Sequence, residues 1–472
     1  MLKVLIEKEI RDIIGSTKFI ITFAVCVALV LLSFYSGAAN YRNARAQYEA
    51  AQRENLLRYE GTTEWDAVSD MRALLPPEPL AALVAGVSND IGGTIEVAAR
   101  GELQPEGSRY AQEPVLASFR LLDLEFLFQV ILSLFAIMLG YDAISGEKER
   151  GTLRLTFANA VPRATYILGK LIGSLAALVL PLVGAIALGC GILMLYGMPL
   201  SGQDWGRLAL IIATGLLYCS VFLALAVMVS VFTRRSSTSF LLALVIWVAA
   251  VMIIPRASVL LAGRAVAVPT MDEMGSQKAA FSGQLWQEDR DKIVGFTSTA
   301  SGDIQAAMEE LNTFMSSIAD ERDRKMKEFS GRLNEERTNR LRQRQALALA
   351  FARVSPAASL SLAMATLAGT SLGTEDNFLA EATGYQKAFA DFIQQKSGGI
   401  PGGRMVRIKV TAGGEEPAAT PINLQEIPAF TYTPIPPAAA FGAAVVDIGL
   451  LMVATMLFFA AAWIGFLRYD LR

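Results

Sequence analysis

Residues 208–255 read LALIIATGLLYCSVFLALAVMVSVFTRRSSTSFLLALVIWVAAVMIIP. Only Arg234 and Arg235 bring charge into this stretch, leaving charge-free runs at 208–233 and 236–255. A bilayer core about 30 Å thick is crossed by ~20 apolar residues wound as a helix. Each run is long enough, and the two arginines mark a tight turn at a membrane surface. The stretch reads as two membrane-spanning helices joined back to back.

Four further stretches fit the same measure. Residues 19–39 and 171–196 are free of charge, and the latter span is placed at 166–196 with Pro181 tolerable as a kink. The apolar run 126–141 is extended past Asp123 and Glu125 by Leu121, Leu122 and Leu124, giving a span at 121–141. The last, 438–467, carries a single acid, Asp447. Composition agrees: 53% of the 472 residues are apolar and 18% charged, with a mean hydropathy of +0.41, where a soluble protein has roughly a quarter of its residues charged. The fold class expected is an all-α membrane protein with six transmembrane helices.

The same composition excludes several kinds of chemistry. A formal net charge of −2 gives no support for nucleic-acid binding, which usually shows a basic face. There is no histidine, which removes Ser–His and Cys–His nucleophile pairs, histidine proton shuttles and the commonest metal ligand. Cys26, Cys190 and Cys219 all lie in apolar runs without CxxC spacing and read as small buried hydrophobes. No metal-ligand set or catalytic constellation is expected.

Basic residues near the span ends set the orientation. With the N-terminus in the cytoplasm, six crossings place 1–18, 142–165, 234–235 and 468–472 inside, and these segments hold Lys3, Lys8, Arg11, Lys18, Lys148, Arg150, Arg154, Arg163, Arg234, Arg235, Arg468 and Arg472. The short outer loop 197–206 holds no Lys or Arg. The segment before the first span carries Glu7, Glu9 and Asp12, unlike a signal peptide's basic leader, so the first span is expected to be a retained anchor.

Residues 2–14 (LKVLIEKEIRDII) place Leu2, Leu5, Ile6, Ile10, Ile13 and Ile14 at helical spacing, with Lys3/Glu7 and Glu7/Arg11 four apart. This is an amphipathic helix lying along the inner surface, either a plain anchor or a docking helix. Outside lie 40–120 and 256–437. Residues 40–59 continue the first span as a charged helix, and 303–353 spell a long helix paired with 276–294. Residues 397–437 are rich in Gly and Pro, with β-like runs at 405–411 and 430–433. The expected outer domain is mainly helical, its charges a solvated face or the surface for an extracytoplasmic protein partner.

The inner loop after the second span reads Tyr141-Asp-Ala-Ile-Ser145-Gly-Glu147-Lys148-Glu149-Arg150-Gly151-Thr152-Leu153-Arg154-Leu155. Four consecutive charges precede a glycine that permits a sharp bend and a threonine able to cap the next helical turn. Residues alone read this as a short amphipathic helix across the cytoplasmic face, or as a solvated turn rich in positive charge. It is not a phosphate-binding loop, because no lysine follows Gly151, and no other GxxxxGK[ST] occurs.

The string Ser145-Gly-Glu-Lys-Glu-Arg-Gly-Thr-Leu-Arg154 after the second of six spans resembles the signature loop of ABC-2-type transporter permeases, in the branch tied to multicopper-enzyme maturation and the nitrous-oxide-reductase cluster. Lys8-Glu9, Gly169-Lys170 and the Arg468-Tyr-Asp-Leu-Arg472 ending agree with it. The insertion between the fifth and sixth spans, 256–437, is larger than usual for the family. The resemblance implies a type V permease fold in a bacterial cytoplasmic (inner) membrane; the expected function is that of an exporter, while the large outer insertion equally fits handing a substrate to an outer partner or transmitting force alone. The resemblance also implies a dimer, identical or mixed, and a separate cytoplasmic ATPase subunit that holds ATP and Mg, with no cofactor bound by this chain. Carried over, the loop 142–165 is a coupling helix, the N-terminal helix a connecting helix beside it, and Glu147, Glu149, Arg150, Gly151, Thr152 and Leu153 contact the ATPase.

Asp447 is a candidate intramembrane polar site, since an acid within a span is costly. Pairing with Arg256 and contact with a substrate both fit its position. The alternative function is a receptor or scaffold whose outer domain binds a partner. Against it, no inner segment is longer than 142–165, which leaves no room for an output domain.

Overall fold

The computed structural model describes residues 1–87, 92–98, 103, 105–106, 123–158, 161–295, 304–397 and 421–468. The β-like run expected at 405–411 and the end of the C-terminal tail lie outside these residues. The chain forms two units: residues 1–252 with 355–472, and residues 253–354. Six helices are long and apolar enough to cross a membrane.

In the first unit, α1 (Leu2–Ile14) is followed by α2 (Thr17–Leu57), whose N-terminus is capped by the Ser16 hydroxyl. Its 41 residues join the first span and the charged helix expected after it in one rod. The second span, α3, covers 124–140 and contains a π-turn at Leu127–Leu132. Such a turn disturbs the regular carbonyl ladder. The Gln129 carbonyl accepts the Tyr218 hydroxyl at 3.0 Å and the Ser133 hydroxyl at 2.7 Å. Trp247 in turn donates its indole N–H to Ser133 at 2.8 Å. These bonds satisfy polar groups in a setting without water.

Two short helices follow, α4 (Ser145–Glu149) and α5 (Thr152–Ala158), then α6 (Arg163–Leu195) and α7 (Gly202–Phe232). A capping box between Ser201 and Asp204 starts α7. Of the candidate spans α7 is the most enclosed, with Tyr218, Phe222 and Cys219 fully buried, while the last span, α14 (Pro437–Leu467), is the least. Helix α8 (Ser236–Val248) begins the fifth span, which the chain continues through a π-turn to Ala265. The π-turn directly precedes Pro255, which lacks the N–H for a regular ladder.

Two elements of this unit were not expected. A short apolar helix, α12 (Pro356–Ala368), is mostly buried and packs on α7 and α14. At 13 residues it is too short to count as a span. Its signals are nonetheless regular: Ser355 caps it, Pro356 opens it, and Gly369 closes it in the left-handed region at φ 74°. A three-stranded antiparallel sheet, β1 (Asp70–Leu74), β2 (Thr94–Ala98) and β3 (Pro105–Glu106), packs on α13 (Leu372–Ser397). Residues 430–433 are not a strand. Their aromatic side chains serve the core instead: Phe430 meets Phe378 and Tyr385 edge-on, and Tyr432 meets Phe378. Alternation in that run therefore reflects burial of Phe430 and Tyr432 rather than a ladder.

The second unit contains α9 (Ile254–Ala265), α10 (Met271–Val294) and the 49-residue α11 (Ile304–Ala352). Helix α10 packs on α11, with Phe281 stacked on Phe329 at 4.2 Å and Arg322 over the Trp286 ring at 4.0 Å. Arg322 also reaches Asp289 at 3.1 Å, and Lys292, Lys325, Glu288 and Glu321 form ion pairs at 2.9–3.3 Å. A single outer domain over 256–437 was expected. The structure divides that range, because the described residues 355–397 and 421–436 pack with the bundle and the sheet while 253–354 forms its own unit.

Candidate functional site

The charged string after the second span folds into α4, a bend, and α5. Gly151 supplies the bend at φ 75°, a region that side-chain-bearing residues rarely enter. Every one of the charges from Glu147 to Arg150 is bound by a neighbouring group, and the first three tie the loop to the helices around it.

Lys148 donates to the carbonyls of Val231 and Thr233, the latter at 3.0 Å. These belong to the last turn of α7, where carbonyls lack helical partners and a cation is favoured. Its neighbour Glu149 does the converse at the start of α8, accepting the Ser236 N–H at 3.1 Å and the Ser236 hydroxyl at 2.9 Å. Adjacent residues of opposite charge thus hold the two sides of the Arg234-Arg235 turn. The Ser230 hydroxyl, fully buried, accepts the N–H groups of Ile144 and Ser145 at 3.0 and 2.8 Å. Arg150 folds back to the Gly146 carbonyl at 3.1 Å.

Glu147 points the other way. It pairs with Lys170 of α6 at 2.8 Å and accepts the Tyr166 hydroxyl. Lys170 also pairs with Glu9 of α1, again at 2.8 Å. Glu9 is only 7% exposed, and its burial pushes the carboxyl above the usual range, with Lys170 pulling the other way. Helix α1 comes this close because Gly169 and Gly173 of α6 lie one turn apart beneath it. A Cβ on Gly173 would stand 2.6 Å from the Glu9 Cβ, and one on Gly169 would stand 2.9 Å from the Leu5 Cβ.

Helix α5 is seated by its apolar side. Leu153 is 2% exposed and joins Ile144, Tyr166, Ile167 and Phe466. Phe157 meets Tyr166 at 5.3 Å and Phe466 at 5.9 Å, while Tyr166 stacks on Phe466 at 5.6 Å. The Arg163 guanidinium donates to the Leu467 carbonyl at 3.0 Å. The loop is therefore fastened to α1, α6, α7, α8 and the end of α14. It is a stiff element.

The six residues singled out in the sequence do not share one face. Arg150, Gly151 and Thr152 are exposed at the bend, as is Glu149 despite its bonds to Ser236. Glu147 and Leu153 face inward. Exposed beside the bend, and not singled out, are Arg154 and Leu155, whose 68% exposure is high for a leucine. Glu9, Tyr166, Lys170 and Ser230 were not assigned to the site. A lysine at the head of an apolar run was the available signal for Lys170. No pattern within the sequence marks Ser230 as a two-bond acceptor.

Asp447 is 3% exposed on α14. Arg256 is exposed on α9 and belongs to the second unit. Among the described residues no group of three or more Cys, Asp or Glu side chains could hold a metal ion.

The sequence model for the ABC-2 family of transporter proteins matches residues 3–471, nearly the whole chain. This protein belongs to the ABC-2 transporter family. As an ABC-2 family member with six candidate spans it is a multi-pass membrane protein. Over 121 residues it is 36% identical to the probable ABC transporter permease protein NosY of Stutzerimonas stutzeri. That alignment takes in 25% of this ABC-2 protein and spans less than half, 43%, of the relative's length.

Proposed function

We propose that the chain is the membrane-spanning permease subunit of an ATP-binding-cassette transporter, driven by a separate cytoplasmic ATPase subunit that docks at the 145–158 element. ATP and Mg belong to that partner, and this chain is a transport subunit rather than an enzyme. One observation carries the reading: α4 and α5 are stiffly fastened to five helices, yet present Arg150, Gly151, Thr152, Arg154 and Leu155 outward. Only an element fixed to several spans converts a push from outside into a rearrangement within them. On this reading Arg150, Gly151, Thr152 and the exposed Glu149 meet the motor, while Glu147 and Leu153 hold the element in place. The membrane is the bacterial inner membrane with both termini in the cytoplasm, the working form is a dimer, and transport runs outward. Helices α10 and α11 then stand outside, where their charged faces can meet an extracytoplasmic protein.

Co-purification tests it. The chain, solubilised from membranes, is expected to retain the ATPase subunit encoded beside its gene. Arg150→Glu combined with Leu155→Asp, both exposed, is expected to cut the retained ATPase about tenfold while leaving the membrane-inserted amount unchanged. Undiminished retention in that variant, or no ATPase in the native preparation, overturns the reading.

A further inference from the structure

We propose that Lys170 is a positioning residue that clasps the N-terminal helix and the loop after the second span together, by pairing at once with Glu9 and Glu147. The three residues come from places far apart in the chain, and Lys170 stands 2.8 Å from both carboxylates. Its side chain is 14% exposed, and the carboxyl side chains 9% and 12%, so solvent screens these pairs little. Glycines at 169 and 173 bring α1 against α6 closely enough for Glu9 to arrive there. Tyr166, one turn before Lys170, adds its hydroxyl to Glu147 and stacks on Phe466. Helix α1, the 145–158 element and the head of α6 consequently meet at a single cation.

The electrostatics give this arrangement a distinct signature. A buried ion pair is worth little against a well-packed apolar substitute, but removing one partner strands the other. Here the cation is shared, so removing it strands two carboxylates side by side. Neutralising Glu9 leaves Lys170 still paired with Glu147. Loss of Lys170 is therefore the severe change, and loss of Glu9 is mild by itself. In the absence of Lys170, loss of Glu9 becomes favourable. A lysine that merely fills space predicts no such reversal.

The clasp rests on the proposed function for its purpose, because it makes α1 and α6 follow whatever moves the 145–158 element. Two measurements separate the two ideas. The first is amide hydrogen exchange on the full-length chain in lipid nanodiscs without any ATPase. Lys170→Met is expected to speed exchange across 2–14 and 145–158 about tenfold, and Lys170→Arg to stay within about twofold of native. Adding Glu9→Gln to Lys170→Met is expected to recover at least about threefold of the lost protection in 2–14. If Lys170→Met leaves 2–14 as protected as before, or if Glu9→Gln brings no recovery, the clasp is wrong. Should Lys170→Met fail to insert, Lys170→Gln with Glu9→Gln decides the same comparison against Lys170→Gln alone.

The second measurement uses the complex with the co-purified ATPase. Lys170→Met is expected to leave ATPase retention unchanged but to lower the stimulation of ATP hydrolysis by the membrane subunit about fivefold, with recovery by Lys170→Arg. Unchanged stimulation overturns the role in transmission. If native chain retains no ATPase, the proposed function falls, and the exchange data still judge the clasp.

Discussion

Residues 147–150 and the helices α10 and α11 are both charge runs, and in sequence they look alike. In the second unit most of the charges stay at the surface, the buried Asp289 with its partner Arg322 being the exception: Lys292–Glu321 and Arg324–Glu328 leave both partners well exposed, the setting in which ion pairs contribute little. In the loop the charges turn toward helix ends and buried partners, and each of the four acts on a different group. The difference lies in location rather than composition. A charge at the end of an apolar helix meets carbonyls or N–H groups that nothing else satisfies, whereas a charge on a solvated helix meets water.

That contrast breaks most visibly if α1 is forced away. Gly173→Val places methyl groups where the Glu9 side chain lies, and overpacking together with loss of the Glu9–Lys170 pair should cost about 3 kcal/mol or more. The expected outcome is release of α1, read as rapid proteolysis within 2–14 in a chain whose remaining bundle still unfolds cooperatively. Ser230→Ala comes next. It strands the N–H groups of Ile144 and Ser145 in a buried place, at about 1–3 kcal/mol for each. A lowered thermal midpoint in detergent checks it, and an unchanged midpoint would mean that water replaces the hydroxyl.

A pH titration sharpens the comparison further. Because the folded Glu9 carboxyl lies above its ordinary range, docked α1 binds a proton more tightly than undocked α1. Docking is therefore favoured as pH falls through the interval just above the ordinary glutamate range, and protection in 2–14, corrected for intrinsic exchange, should rise as the pH is lowered toward that range. Protection that falls instead would show that the ion pair outweighs the cost of burial. Glu149→Gln should produce a smaller drop in midpoint than Ser230→Ala, since the exposed amide still accepts from Ser236. Lys292→Ala, in the second unit, should leave the midpoint within error.

Much of the fold was open to reading in one dimension. A span is recognised by its own length and apolarity, so the runs from 19–39 to 438–467 declare themselves without reference to neighbours. The rods over 17–57 and 304–352 are likewise local, being long and poor in breakers. The helix at Pro356–Ala368 and the strands at Asp70–Leu74 and Thr94–Ala98 were missed because each is short and buried against distant segments. Phe430 and Tyr432 misled for the same reason, since aromatic residues on the one side of a loop that packs on a core imitate the alternation of a strand.

By itself, the sequence determined that this is a membrane protein of the ABC-2 family with six candidate spans, and that four consecutive charges, Glu147 to Arg150, stand in the loop that follows the second of them. Tertiary structure alone decided which of that loop's residues face outward and which are consumed in holding it. Hydrophobicity is a property each segment carries along the chain. The environment of Glu147 depends on Lys170 and, through it, on Glu9, which meet only when two glycines let one helix lie across another.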